Sequence, residues 1–218
     1  ADHIVMKGDK DIGIQGERAG LVMRCIGSKF LGFAGTMTKD ALESKMSIAD
    51  WKGKDKIEEM YTDRSPELKK AIDELEIPHP RSKPYVPTNN AIIERTVRMF
   101  VEGARALLLM AGLGVLWWPF ACAYFEVAYN TTKRWYHSLA RMETPWFLRF
   151  GAQFPGLRPL FGQLVWFRPM QPTVDKMPKF DSRGQWGVCL GWDFQPGRVW
   201  DNVYKVAAVS SFRAGAPK

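Results

Sequence analysis

Apolar and polar positions divide this chain into short strand-like runs near its start, long helical stripes in its middle and strand-like runs again near its end. Residues 2–6 read as a first strand, and a glycine-rich turn through Gly8, Gly13 and Gly16 follows. Residues 21–26 and 30–34 form two apolar runs joined by Gly27-Ser28, which predicts a β-hairpin. Residues 38–49 carry apolar groups at helical spacing. Residues 57–62 read as a fourth strand ending at Asp63, and 66–76 as a helix with Pro66 in its first turn. Four prolines between 78 and 87 predict an extended loop, and Asn89 and Asn90 offer caps for the next helix. That helix carries an apolar stripe at 93, 97, 100, 101, 104, 107 and 108. A further helix is expected over about 117–136.

Beyond Gly151 the pattern changes. Gly, Pro, Trp and Phe become frequent, and strand-like runs at 163–167, 187–191 and 199–206 alternate with turns. These features predict two domains, 1–150 as an α/β unit with a mixed sheet flanked by helices, and 151–218 as a small β-rich module. The tryptophans of the second unit, Trp166, Trp186, Trp192 and Trp200, are expected to pack its interior rather than to stack on bases.

Charge refines this picture. The 218 residues carry a formal net charge of +8. Residues 151–218 hold nine Lys and Arg against four Asp, so the smaller unit is the more basic, and phosphate contact is expected there. Arg158, Arg168, Lys176, Lys179, Arg183 and Arg198 are expected to be exposed. Cys25, Cys122 and Cys189 are dispersed and form no zinc or disulfide pattern, which fits a reducing compartment. His3, His79 and His137 are equally scattered and read as structural or surface groups. The uncharged stretch 106–125 is about as long as a membrane span, but Gly112, Gly114 and Pro119 break it, so two packed helices joined by a turn are expected and no membrane partner.

Three acids occupy positions where sheet-based sites collect: Asp2 in the first strand, Asp63 at a strand end, and Glu94 at the start of the long helix. Converging carboxylates need cations between them, and hard divalent ions are the usual answer in phosphoryl transfer.

The text around these acids resembles copia-type retrotransposon integrases. Pro84-Tyr85-Val86-Pro87 through Asn90-Ala91-Ile92-Ile93-Glu94-Arg95 is similar to the family's P-Y-x-P-x-x-N-G-x-x-E-R signature. Thr62-Asp63-Arg64-Ser65-Pro66-Glu67-Leu68 resembles its S/T-D-N-G-G-E-F, and Ile77-Pro78-His79 its G-I-x-H. Downstream, 107–130, Thr144-Pro145-Trp146 through Gly162, and Gly187-Val188-Cys189-Leu190-Gly191-Trp192 follow in the family's order. The resemblance implies an RNase H-like catalytic core followed by an SH3-like module. It implies that Asp2, Asp63 and Glu94 are the D,D-E triad and hold two Mg2+ (or Mn2+) ions for 3′-end processing and DNA strand transfer. It also implies that element ends and target DNA are partners, that the complete protein is a homo-oligomer, and that it works inside the cell, in the nucleus after a cytoplasmic particle stage. Asn90, Arg95 and Arg98 near the triad, and Lys176, Lys179 and Arg183 in the basic module, are the expected DNA contacts. The family's D-N-G-G is Asp63-Arg64-Ser65-Pro66 here, and its N-G is Asn90-Ala91. These departures leave open a catalytically decayed or repurposed nucleic-acid-binding protein of the same fold. A membrane protein spanning 106–125 is the third reading.

Overall fold

A computed structural model describes residues 1–63, 65–79, 91–138, 141–171 and 173–213. Asn90, its companion Asn89 and most of the four-proline loop lie outside the described residues.

The first three strands form one antiparallel sheet in the order β1 (Asp2–Val5), β2 (Ala19–Arg24), β3 (Leu31–Thr36). Cross-strand pairing places Asp2, Val22 and Phe33 in one row, and His3, Leu21 and Ala34 in the next. Adjacent rows point to opposite faces. On one face Gly32 abuts the Trp51 indole and His3 Nε2 lies 3.1 Å from Ser44 Oγ, both on α1 (Ala41–Lys52). On the other face Phe33 packs on Phe100 and Trp118, which belong to α3 (Ala91–Ala111) and α4 (Trp118–Thr132). The sheet is therefore sandwiched between helices, and Asp2 lies in a row that faces α3.

The expected fourth strand is not formed. Residues 57–62 are irregular, because their backbone bonds are made singly rather than in a ladder: Ala1 N donates to Tyr61 O at 2.7 Å, and Met60 N donates to Pro78 O at 3.0 Å. These bonds still set the segment beside the start of β1 and set 77–79 beyond it. Ordered β3, β2, β1, then these two segments, with helices on both faces, the chain is α/β and RNase H-like. Every registered strand pair among the described residues is antiparallel.

Helix α2 (Pro66–Glu74) is capped by Ser65, whose hydroxyl accepts from Leu68 N and donates to Glu67 Oε2. It buries Leu68, Ala71 and Ile72. The 106–125 stretch breaks as expected: α3 ends at Ala111, Gly112 adopts φ +65°, and α4 starts at Trp118. The tip of this helical hairpin is nevertheless open to solvent at Leu109, Met110, Val115 and Leu116. Among the described residues no helix is long and apolar enough to cross a membrane. Helix α4 stops at Thr132, earlier than the pattern suggests, because β4 (Trp135–Ser138) pairs with β5 (Arg141–Glu143).

A short α5 (Pro145–Phe150), capped by Thr144, leads into β6 (Leu164–Phe167), β7 (Gln185–Gln195) and β8 (Val199–Ala208), an antiparallel sheet in chain order, followed by α6 (Val209–Arg213). Phe154, Phe161, Leu190 and Trp192 share one apolar cluster with the core residues Leu21, Ile48 and Phe100. Trp192 stacks on Tyr124 of α4 at 5.1 Å.

Arg198 corrects an expectation. It is 9% exposed, not a surface cation. The turn between β7 and β8 inserts it at the β3 edge of the first sheet, where Nε donates to Glu126 Oε1 at 2.7 Å, Nη1 to Asp50 Oδ2 at 2.6 Å and Nη2 to Phe33 O at 3.0 Å. Gly53 and Gly197, both at positive φ, let the two backbones meet there: a Cβ on Gly53 would come within 2.4 Å of Gly197 Cα.

Candidate functional site

Asp2, Asp63 and Glu94 come from three elements meeting at one end of the first sheet. Asp2 opens β1 and is half-buried, with Oδ1 accepting from His3 N at 2.7 Å. Asp63 ends the segment bonded to the start of β1, and its Oδ1 accepts from Ser65 N at 3.1 Å. The Thr62 hydroxyl donates to Asp63 O and lies 3.0 Å from His79 Nε2, which steadies the backbone at Asp63. Glu94 stands exposed in the first turn of α3, where a carboxylate is favoured by the helix dipole. That turn is fixed by Arg24 of β2, whose Nη1 donates to the buried Thr96 hydroxyl at 3.1 Å.

Burial pushes the Asp2 carboxyl above its ordinary range, and the charges of Asp63 and Glu94 push it further the same way, against the bond from His3 N. His3, on the opposite face of β1, is held below the usual histidine range by burial. As a donor set, three carboxylates suit a hard divalent cation. Among the described residues, though, no three His, Cys, Asp or Glu side chains lie close enough to hold one ion, so the acids are neighbours rather than a formed cage.

The expected DNA contacts differ in availability. Arg95 and Arg98 are exposed on α3 beside Glu94, and Lys176 and Lys179 are exposed in the loop between β6 and β7. Arg183 is half-buried and spends its guanidinium on main-chain carbonyls, donating to Val174 O at 2.8 Å and to Met177 O and Lys179 O at 3.4 Å. Asn90 lies outside the described residues.

Residues that sequence reasoning missed are Glu126, Asn130 and Arg198. Asn130 accepts from Leu31 N and donates to Leu31 O, both at 2.9 Å. Glu126, one helical turn earlier, accepts from Phe33 N at 2.9 Å, and Arg198 completes the pattern at Phe33 O. Together they satisfy the outward-facing backbone groups of Leu31 and Phe33 on the free edge of β3. The available signal was a lone acid and an amide four residues apart in an otherwise apolar helix.

No protein-family profile matches the chain, and no curated protein is similar to it in sequence. Among solved structures, the catalytic core domain of BIV integrase is similar over 59% of this chain and 82% of its own, at 16% identity and a TM-score of 0.45. A simian T-cell lymphotropic virus intasome in complex with PP2A regulatory subunit B56 gamma is similar over 88% of this chain and 72% of the matched chain, at 18% identity and a TM-score of 0.49. At these identities and overlaps, the order of the elements, rather than either likeness, supports the RNase H-like layout.

Proposed function

We propose that this chain is the catalytic core (1–150) and the following β-rich module (151–218) of a copia-type retrotransposon integrase, a divalent-metal-dependent polynucleotidyl transferase. What supports the reading is that the start of β1, the segment that ends at Asp63 and the first turn of α3 lie at one end of the first sheet, joined there by the bonds Ala1 N to Tyr61 O and Arg24 Nη1 to Thr96 Oγ1. The motif context of Asp2, Asp63 and Glu94, in collinear order along the chain, points to the same chemistry.

In this reading Asp2, Asp63 and Glu94 would hold two Mg2+ (or Mn2+) ions, which would supply charge neutralisation for phosphoryl transfer. Water attacks a phosphodiester near the element's 3′ end, one P–O bond forming as another breaks, and a 3′-OH is released. That 3′-OH then attacks a target phosphodiester in line, again exchanging one P–O bond for another. No covalent enzyme intermediate is needed, so no nucleophilic Ser or Cys is called for. Arg95 and Arg98 meet phosphates beside the acids, and the exposed cations of the module hold the DNA backbone without reading sequence. The nuclear site of action and the homo-oligomeric assembly belong to the same proposal.

A strand-transfer assay with a duplex mimicking an element end, in Mg2+ or Mn2+, tests this. The wild type should join the end to target DNA, and Glu94→Gln should abolish joining while DNA affinity is retained. A wild type that binds DNA yet joins nothing in either metal would favour the second reading, a decayed or repurposed DNA-binding protein. The specific support for that reading is Arg64-Ser65-Pro66 beside Asp63, together with the looseness of the acid group.

A further inference from the structure

Two tryptophans of the C-terminal sheet do not pack an interior. Trp166 on β6 and Trp186 on β7 are direct cross-strand partners, and their rings meet edge to face at 5.1 Å and 76°. They are 55% and 52% exposed, whereas Trp51, Trp117, Trp118, Trp146 and Trp192 are 5–8% exposed. The alternation along β6 explains the difference: Leu164 and Trp166 point outward, while Val165 and Phe167 are half-buried. The more buried indoles of this unit find carbonyl partners, Trp192 at Leu157 O (3.0 Å) and Trp200 at Val203 O (2.9 Å). The Trp166 ring lies over Gly184, where the missing side chain leaves room for it: a Cβ there would come within 2.2 Å of Nε1.

The surroundings of the pair are basic. Arg168, two residues past Trp166, is exposed. Arg183, beside Gly184, ties the 174–179 loop to the start of β7 through its bonds to Val174 O, Met177 O and Lys179 O, and that loop displays Lys176 and Lys179. The two acids of the segment are engaged locally: Asp175 accepts from Gln171 Nε2 at 3.0 Å, and Asp181 from Ser182 N at 2.7 Å. An exposed aromatic pair beside a cationic loop matches a ligand with both π-faces and regular negative charge. Duplex DNA satisfies only the second condition, because its bases are stacked on one another. An unpaired strand satisfies both.

We propose that Trp166 and Trp186 form a stacking platform for unpaired bases of a single-stranded nucleic acid, whose phosphates run along Arg168, Lys176 and Lys179. The site stands apart from the carboxylate chemistry, and an inactive copy would keep it.

The test uses the full chain in EDTA, so that failure of catalysis has no bearing on it. Affinities for an oligothymidylate and for a blunt duplex of equal length are compared by anisotropy at fixed ionic strength. Trp166→Ala and Trp186→Ala should each weaken the single strand by about 5- to 150-fold, corresponding to about 1–3 kcal/mol per stacked base. Duplex affinity should stay unchanged. Trp166→Phe should restore much of the loss, because the ring keeps a π-face, and Lys176→Ala with Lys179→Ala should weaken both ligands. Acrylamide quenching of the unmodified protein needs no variant: bound oligothymidylate should shield its most accessible tryptophans. Unshielded indoles, equal affinities of the alanine variants and wild type for the single strand, or a surface that captures a protein while ignoring oligothymidylate would each overturn the proposal.

Discussion

Replacing Arg198 by Ala should destabilise the whole chain, not only its C-terminal sheet. Arg198 contacts three elements distant in sequence: Glu126 on α4, Asp50 on α1 and the Phe33 carbonyl on β3. Glu126 is 3% exposed, and burial raises its carboxyl above the ordinary range while Arg198 pulls it back down. Removing the guanidinium strands that carboxylate, and losing one partner of a buried pair costs about 3–5 kcal/mol. Asp50 adds little, because its side chain is 44% exposed. For a chain of this length each kcal/mol moves the melting temperature by about 2–4 °C, so a fall of about 6–20 °C is expected. Thermal melting followed by circular dichroism reads this directly, and urea unfolding should show the midpoint falling without a second transition. Pairing Arg198→Met with Glu126→Leu should recover much of the loss, because an apolar replacement removes the stranded charge. Phe33 N and O would still be left without partners, so recovery should be incomplete. A shift under about 2 °C for Arg198→Ala alone would refute the reasoning, since it would mean that the pair is solvated in the folded protein.

Three further outcomes follow from the same geometry. Asp2→Asn should raise the melting temperature in EDTA: the folded-state carboxyl lies above its ordinary value, so ionised Asp2 opposes folding, and the gain should vanish as pH falls and wild-type Asp2 takes up its proton. Cys122 is buried and its thiol is pushed up to about 12, and Cys189 is buried and also raised, so a thiol-specific chromophoric reagent should titrate Cys25 first in the native protein and all three thiols after unfolding. Duplex DNA binding should weaken steeply between about 50 and 200 mM salt, and Lys176→Ala with Lys179→Ala should reduce the logarithmic slope by about 0.9 for each phosphate that is no longer neutralised.

What the sequence made legible follows the range of the interactions concerned. The β2–β3 hairpin could be read because its apolar runs and Gly27-Ser28 turn are local, and α3 could be read because one stripe repeats at helical spacing. Asp2 does open a strand and Glu94 does lie in a first helical turn, both local features, whereas Asp63 follows an irregular segment and not the strand its surroundings suggest. The segment 57–62 misled because its composition suits a strand while its two backbone bonds go to single partners elsewhere in the chain, Ala1 and Pro78. Trp166 and Trp186 misled for a related reason. Aromatic content suggests packing, but which face of a sheet is covered depends on what docks there, and β7 offers Leu190 and Trp192 to the core while β6 turns Trp166 away from it. Arg198 was unreadable as a buried group, since its carboxylate partners lie 72 and 148 residues away.

The polar residues of α4 explain why that last failure matters for function. β3 is the edge of its sheet, and an edge strand exposes N–H and C=O groups that invite pairing with another chain. Here Asn130 and Glu126, spaced four residues apart on one helix face, meet Leu31 and Phe33, spaced two apart on the strand, and Arg198 supplies the remaining donor. Helix rise over four residues, about 6 Å, nearly matches strand rise over two, about 6.6 Å, so the side chains serve the edge in register. The donor that finishes this cap comes from the turn between β7 and β8. The sheet carrying Trp166, Trp186 and the basic loop is thereby tied to the same β3 edge whose sheet, through β2 and β1, carries Asp2. The relative placement of the two sheets therefore depends on Arg198, and on the proposed function Arg198→Lys should lower strand transfer more than DNA affinity when the two are measured side by side.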